Sequence, residues 1–194
     1  MKRDAHATVV ALAVLTLVLG LAYPLAVTGV GQVAFHDAAN GSQLTVDGRT
    51  VGSRLLGQGF RATRYFHSRP SQTDWNPSAT AFSNAGPNGA DTRAAIAARA
   101  AAYLRLEGRY DSGLTRAAIP PDAVQTSGSG VDPHITVANA RIQARRVAQV
   151  RGLPLARVDR LVDEHTDGRG LGLFGEPGVN VLELNVALDQ ETAR

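Results

Sequence analysis

Residues 7–22 read ATVVALAVLTLVLGLA, and no Asp, Glu, Lys or Arg occurs from Ala5 through Phe35. A helix crosses the hydrocarbon core of a bilayer with about 20 apolar residues. The run reaches that length by continuing through Tyr23, Pro24, Leu25 and Ala26. Ala7, Leu12, Leu17, Leu21, Tyr23 and Pro24 carry this reading, and the span is assigned to residues 7–27. Tyr23 supplies the amphipathic ring that collects at membrane interfaces. Pro24 is expected to kink only the last turn, and Gly29 and Gly31 favour an end to the helix. A cleaved signal peptide competes, with Lys2 and Arg3 as its charged region and Gly20-Leu21-Ala22 as its exit. The uncharged run continues past that point with no A-x-A site, so an uncleaved anchor is preferred. Lys2, Arg3 and the amino terminus then place residues 1–6 in the cytoplasm and residues 28–194 outside, at the plasma (inner) membrane.

The chain has 194 residues, a formal net charge of +3, no cysteine, one methionine and a single lysine, Lys2. Cysteine nucleophiles, thiolate metal sites, iron–sulfur clusters and disulfides are excluded, as are a Walker lysine and a Schiff base. Twenty basic residues face 17 acidic ones. Removing Lys2, Arg3 and Asp4 leaves 18 against 16, without the clustered patch that nucleic-acid binding needs. That balance suits protein contact. An outer portion of about 160 residues is large enough to fold on its own core.

The outer portion reads as α+β, one mixed domain following the single membrane helix, with no internal repeat. Asp47-Gly48 between LTV and RTV signals a hairpin, because Gly accepts the positive φ of a type I′ turn. Residues 67–91 are dense in Ser, Asn, Pro and Gly and read as a long loop. Asp91 is expected to cap a helix to about Leu106, with Ile96, Ala100, Tyr103 and Leu104 on one stripe and Arg93, Arg99 and Arg105 facing away or snorkelling. Thr136 caps a second helix to Arg151, closed by Gly152, with Val137, Ala140, Ala144, Val147 and Ala148 inward. Its Arg141, Arg145, Arg146 and Arg151 read as a solvated face. Pro154 opens a third helix to about Thr166, with His165 on its apolar stripe. Val179–Leu188 alternates, predicting a strand with Leu182, Leu184, Val186 and Leu188 inward and Asn185 outward.

Chemical motifs are sparse. Gly170-Leu-Gly172-Leu-Phe-Gly175 matches the dinucleotide fingerprint by letter, but a helix precedes it and strand-like sequence follows, so it reads as a turn. Ser127-Gly128-Ser129-Gly130 lacks the G-x-S-x-G spacing of a nucleophile elbow. Asp132-Pro133-His134 reads as turn and capping chemistry ahead of Thr136. His36, His67, His134 and His165 lack metal-ligand spacing. No catalytic and no metal residues are assigned.

Longer strings carry a resemblance. They are Tyr23-Pro24-Leu25 with Gln32; Asn40-Gly41-Ser42; Leu55-Leu56-Gly57-Gln58; and Tyr65-Phe66-His67-Ser68-Arg69-Pro70-Ser71. They continue with Ser127-Gly128-Ser129-Gly130-Val131-Asp132-Pro133-His134-Ile135, Gln143 with Arg146-Val147-Ala148, and Gly175-Glu176-Pro177 with Val179-Asn180-Val181-Leu182. From Tyr23 to Leu188 the chain resembles the C subunit of the bacterial Kdp-type potassium-transporting ATPase. It departs from that pattern at Thr80–Asn88, where flanking glycines are missing.

The resemblance implies a non-catalytic, single-pass subunit required for assembly of an ATP-driven potassium importer. It also implies a catalytic chaperone that raises the ATP affinity of the hydrolysing subunit. The implied partners are a potassium-binding, channel-like A subunit, the P-type ATPase B subunit, a small F subunit and the lipid bilayer, with no nucleic acid. No cofactor is assigned to this chain, because ATP and potassium are handled by the complex. Gln32, Gln58, Tyr65, Phe66, Arg69, Pro70, Ser127, Gly128, Ser129, Gly130, Asp132, His134 and Gln143 are the implied subunit-interface or nucleotide-effect residues. With residues 28–194 outside, any effect of these residues on cytoplasmic ATP is expected to travel as coupling. The alternative is an exported, membrane-anchored hydrolase or ligand-binding module using Ser129, Asp132 and His134.

Overall fold

A computed structural model describes residues 2–192. The chain divides into two compact units, Met1–Val51 and Gly52–Arg194.

The first unit is dominated by a helix of 33 residues, Lys2–Ala34. It comprises α1 (Lys2–Leu17), one π turn (Val18–Ala22) and α2 (Tyr23–Ala34), and none of its residues is buried. At about 1.5 Å per residue it is roughly 50 Å long, more than the ~30 Å hydrocarbon core requires. The expected end at Gly29 and Gly31 is therefore corrected. A helical glycine costs only about 1 kcal/mol, and the helix continues to Ala34, ending where Phe35 turns to φ −138°. Pro24 has no N–H for the carbonyl four residues back. The π turn just before it widens the winding, and the Tyr23 N–H bonds to the Val18 carbonyl.

A short α3 (His36–Ala39) follows, and the Asn40 amide donates to the His36 carbonyl at 2.7 Å and to Gln32 Oε1 at 3.0 Å. The hairpin β1 (Gln43–Val46) and β2 (Arg49–Ser53) turns at Asp47 (φ 49°) and Gly48 (φ 75°), as expected for type I′.

In the second unit, residues 54–89 contain no regular helix or strand. The helix α4 (Ala90–Glu107) starts from Gly89, so Asp91 lies in its first turn and is not its cap. Of the expected α4 stripe only Ala100 is buried, together with Glu107. Two single 3₁₀ turns, Arg116–Ala118 and Pro121–Ala123, lead to β3 (His134–Thr136).

The helix α5 (Val137–Arg151) has the anticipated ends. Thr136 Oγ1 accepts the Asn139 N–H, and Gly152 takes the left-handed conformation at φ 67°. Next come α6 (Leu155–Glu164) and β4 (Thr166–Asp167). His165 caps α6 through Nδ1, which donates to the Leu161 carbonyl at 2.8 Å. The chain closes with β5 (Gly178–Asn180) and α7 (Val181–Thr192). The three strands form an antiparallel sheet in the order β3-β5-β4, with His134 opposite Asn180 and Thr166 opposite Val179.

The strand expected over Val179–Leu188 is overturned. Only its first two residues, Val179 and Asn180, are extended, and the rest is α7. Val181, Leu182, Leu184, Asn185 and Leu188 are buried while Val186 is not, a helical spacing and not an alternating one. The core joins Val147 and Ala144 of α5, Val158 and Val162 of α6, and Leu184 and Leu188 of α7 to Ile135 and Val179 of the sheet. Phe66 enters from the irregular segment and is fully buried.

Candidate functional site

The segment Tyr65–Pro70 has no strand partner, so its buried backbone must find other hydrogen bonds. Side-chain amides from two helices supply them. Asn185 of α7 accepts the Phe66 N–H at 2.8 Å and donates to the Phe66 carbonyl at 2.9 Å. Gln143 of α5 accepts the His67 N–H at 2.7 Å and donates to the His67 carbonyl at 3.1 Å. Each amide imitates one rung of a β-ladder.

Arg146 extends this strapping and, with Arg151, corrects the solvated-face reading, which Arg145 keeps. Its side chain is 0% exposed and pairs with Glu107, itself 1% exposed, at 2.9 Å. The guanidinium also donates to the carbonyls of Thr63 and Tyr65 and to Gln143 Oε1. Burial raises the Glu107 carboxyl above the usual range although Arg146 opposes that shift. On the other side of Gln143, Asn139 Oδ1 accepts from Gln143 and from the Tyr103 hydroxyl. Asn139 donates onward to Asp122, whose carboxylate also takes the Thr136 N–H and hydroxyl. Burial, then Glu107 and Asp122, push the Tyr103 phenol far up. Burial and the Arg146 charge lower His67 to about 4, so its ring is neutral in the folded protein.

A cleft of about 580 Å³ lies against this network, with Phe60, Trp75 and Arg99 beside Tyr103, Asn139 and Gln143. Tyr65 is held differently. Its hydroxyl donates to Asp189 at 2.9 Å, and the Arg151 guanidinium lies 5.1 Å from the ring centroid. Burial alone would raise Asp189, but bonds from Arg151, Tyr65 and Arg64 hold it below its ordinary value.

The serine–glycine turn is brought to the same segment. The Ser127 N–H donates to the Pro70 carbonyl at 3.1 Å, and Ser71 Oγ donates to the Gly130 carbonyl at 2.6 Å. Inside the turn Ser127 Oγ accepts the Gly130 N–H, and Ser129 Oγ accepts the Val131 N–H. Gly128 makes room for nothing, since a Cβ there would meet open space. Arg69 pairs with Asp132 at 2.8 Å, and Asp132 also accepts the His134 N–H, the turn chemistry anticipated for it. His134 Nε2 meets Asp167 at 2.9 Å. Asp132 thus meets His134 through its backbone N–H, while Ser129 Oγ bonds within its own turn. Gln58 contributes its carbonyl to the Ser68 hydroxyl at 2.7 Å. Gln32 lies in the first unit with Asn40.

Most of the expected residues therefore meet in one place, as a scaffold holding residues 58–71 against α5, α7 and the turn at 127–134. Sequence reasoning missed Glu107, Asp122, Asn139 and Asn185. Asn139, Gln143 and Arg146 do follow one another at helical spacing beside the apolar stripe of α5, a sign that this face is buried and polar. Among the described residues, no three His, Asp or Glu side chains cluster to hold a metal.

The sequence model of one family, described as "KdpC: K+-transporting ATPase, c chain", matches residues 5–190. The "Potassium-transporting ATPase KdpC subunit" of Mycobacterium tuberculosis strain H37Rv is 47% identical over 192 residues, covering 98% of this chain and 100% of that protein. The protein of the same description from Cereibacter sphaeroides strain KD131 is 48% identical over 187 residues, covering 96% and 95%.

Proposed function

Because this chain belongs to the KdpC family, the non-catalytic C chain of the K+-transporting ATPase, we propose that it is the membrane-anchored subunit on which assembly of that pump depends. Membership implies association with the other Kdp subunits. The finer reading is that the second unit docks outside the membrane on the channel-like A subunit, beside the B and F subunits. The span at residues 7–27 anchors it with residues 1–6 in the cytoplasm. The observation that carries this is the extent of the likeness. It runs through the apolar helix and the folded unit together, over 98% of the chain.

The strapped segment supports a docking role. The backbone groups of Phe66 and His67 are consumed internally, which leaves a stiff surface in place of a reactive centre. In this topology the 127–130 turn and Gln143 do not reach cytoplasmic ATP. The chaperone effect on nucleotide affinity therefore passes through the assembled complex as coupling between sites.

Deletion of this chain should leave the remaining subunits without a stable, potassium-stimulated ATPase, and retention of that activity would overturn the reading. Orientation has a separate test. A reporter active only outside the cytoplasm, fused after Arg194, should be active, and a silent outside reporter paired with an active cytoplasmic one reverses the topology.

A further inference from the structure

The connection from β4 to β5 narrows to Gly170-Leu171-Gly172-Leu173-Phe174-Gly175. Gly170 and Phe174 close it by exchanging backbone hydrogen bonds of 2.8 and 2.9 Å. At its base Arg169 and Glu176 pair at 3.0 Å, so their charges offset one another. No ionisable side chain lies between them. Leu171, Leu173 and Phe174 are 92%, 77% and 69% exposed, and no other described large apolar side chain of this unit exceeds 59%. Contiguous apolar side chains held in water mark a contact surface.

The geometry distinguishes what covers it. Three side chains on a narrow tip offer far less than the roughly 1,000 Å² that a specific protein interface buries. An uncharged wedge of leucine and phenylalanine is instead suited to the boundary between lipid headgroups and acyl chains. A contact too weak to hold alone suffices once a tether makes it intramolecular. We propose that the Leu171-Leu173-Phe174 tip inserts into the membrane interface as a second, reversible lipid contact of the folded unit. This rests on the anchor reading given above.

The chain has no cysteine, so single-cysteine variants place one fluorophore each. Full-length chain labelled at L173C, at L12C in the anchor, or at Q149C on the exposed side of α5 is reconstituted in phosphatidylcholine–phosphatidylglycerol vesicles, with or without acyl-chain spin-labelled lipid. Emission from L173C should be blue-shifted and quenched about three-fold more than that from Q149C. Adding L171S and F174S should bring L173C down to the Q149C level while L12C stays quenched. Quenching of L173C equal to Q149C, with L12C quenched, overturns the tip proposal and leaves the anchor standing. An unquenched L12C overturns the anchor and the tip together. If L173C is shielded only when the other subunits are present, without lipid quenching, the tip is a protein contact and the proposal fails.

Discussion

Gln143 holds His67 by both of its backbone groups, at 2.7 Å on the N–H and 3.1 Å on the carbonyl, from 76 residues away in the chain. The side-chain amide stands where a neighbouring strand would be. Gln143→Leu keeps the volume and removes every partner, leaving two buried backbone groups and one Arg146 nitrogen unsatisfied. At about 1–3 kcal/mol for each unpaired buried group after relaxation, a loss on the order of 3 kcal/mol is expected. Denaturant unfolding of the full chain, followed by the fluorescence of Trp75, measures it. A loss below about 1 kcal/mol would show that the amide is not holding the segment.

Glu107 and Arg146 form a buried pair, so removing either charge strands the other. Arg146→Met and Glu107→Leu should each destabilise by about 3–5 kcal/mol. The double variant Glu107→Leu, Arg146→Met should recover part of this. Recovery stays incomplete because the guanidinium also serves the Thr63 and Tyr65 carbonyls. A double-mutant cycle in denaturant reads the coupling, and strictly additive losses would contradict a coupled pair.

His67 gives stability a pH dependence with a definite sign. The ring's ordinary value of 6.5, which the unfolded chain keeps, is lowered to about 4 in the folded one. Between those values the unfolded state binds more protons, so this contribution is complete above the upper value and is lost as pH falls toward the lower. Glu107 acts oppositely. Its raised carboxyl makes the folded state the better proton binder, so its share declines as pH rises through the folded value. Unfolding midpoints of wild type and His67→Gln across that window test the assignment. The acid-side slope should flatten in the variant, and an identical slope assigns it elsewhere.

Gly57 sits where backbones cross. Its N–H donates to the Val131 carbonyl at 2.7 Å, and a Cβ there would lie 2.3 Å from the Asp132 carbonyl oxygen. Gly57→Ala must separate the two segments. Trypsin should then cut at Arg61 and Arg64 at least several-fold faster in native buffer, since cleavage follows local opening. Unchanged cleavage would mean that the crossing relaxes without opening.

Where local chemistry decides structure, the sequence is readable. Thr136 and Gly152 bound α5 because a hydroxyl cap and a left-handed glycine are properties of single residues. Asp47-Gly48 sets its turn for the same reason. The misreadings share another cause. Asn185 and Arg146 are polar and point inward, toward partners distant in the chain. With Asn185 taken as outward, Leu182, Leu184, Val186 and Leu188 imitate a strand. With it counted inward beside Val181, Leu184 and Leu188, the helical spacing appears. The amide clamps escape any local pattern, because the segment they hold has no period of its own.

The π turn at Val18–Ala22 has a geometric consequence for the apolar helix. One additional residue in a turn rotates all that follows by about 100° about the axis. Side chains of α2 therefore lie at a different azimuth from the one an unbroken winding of α1 would give them. A neighbour alongside α1 and a neighbour alongside α2 meet this helix from different compass bearings.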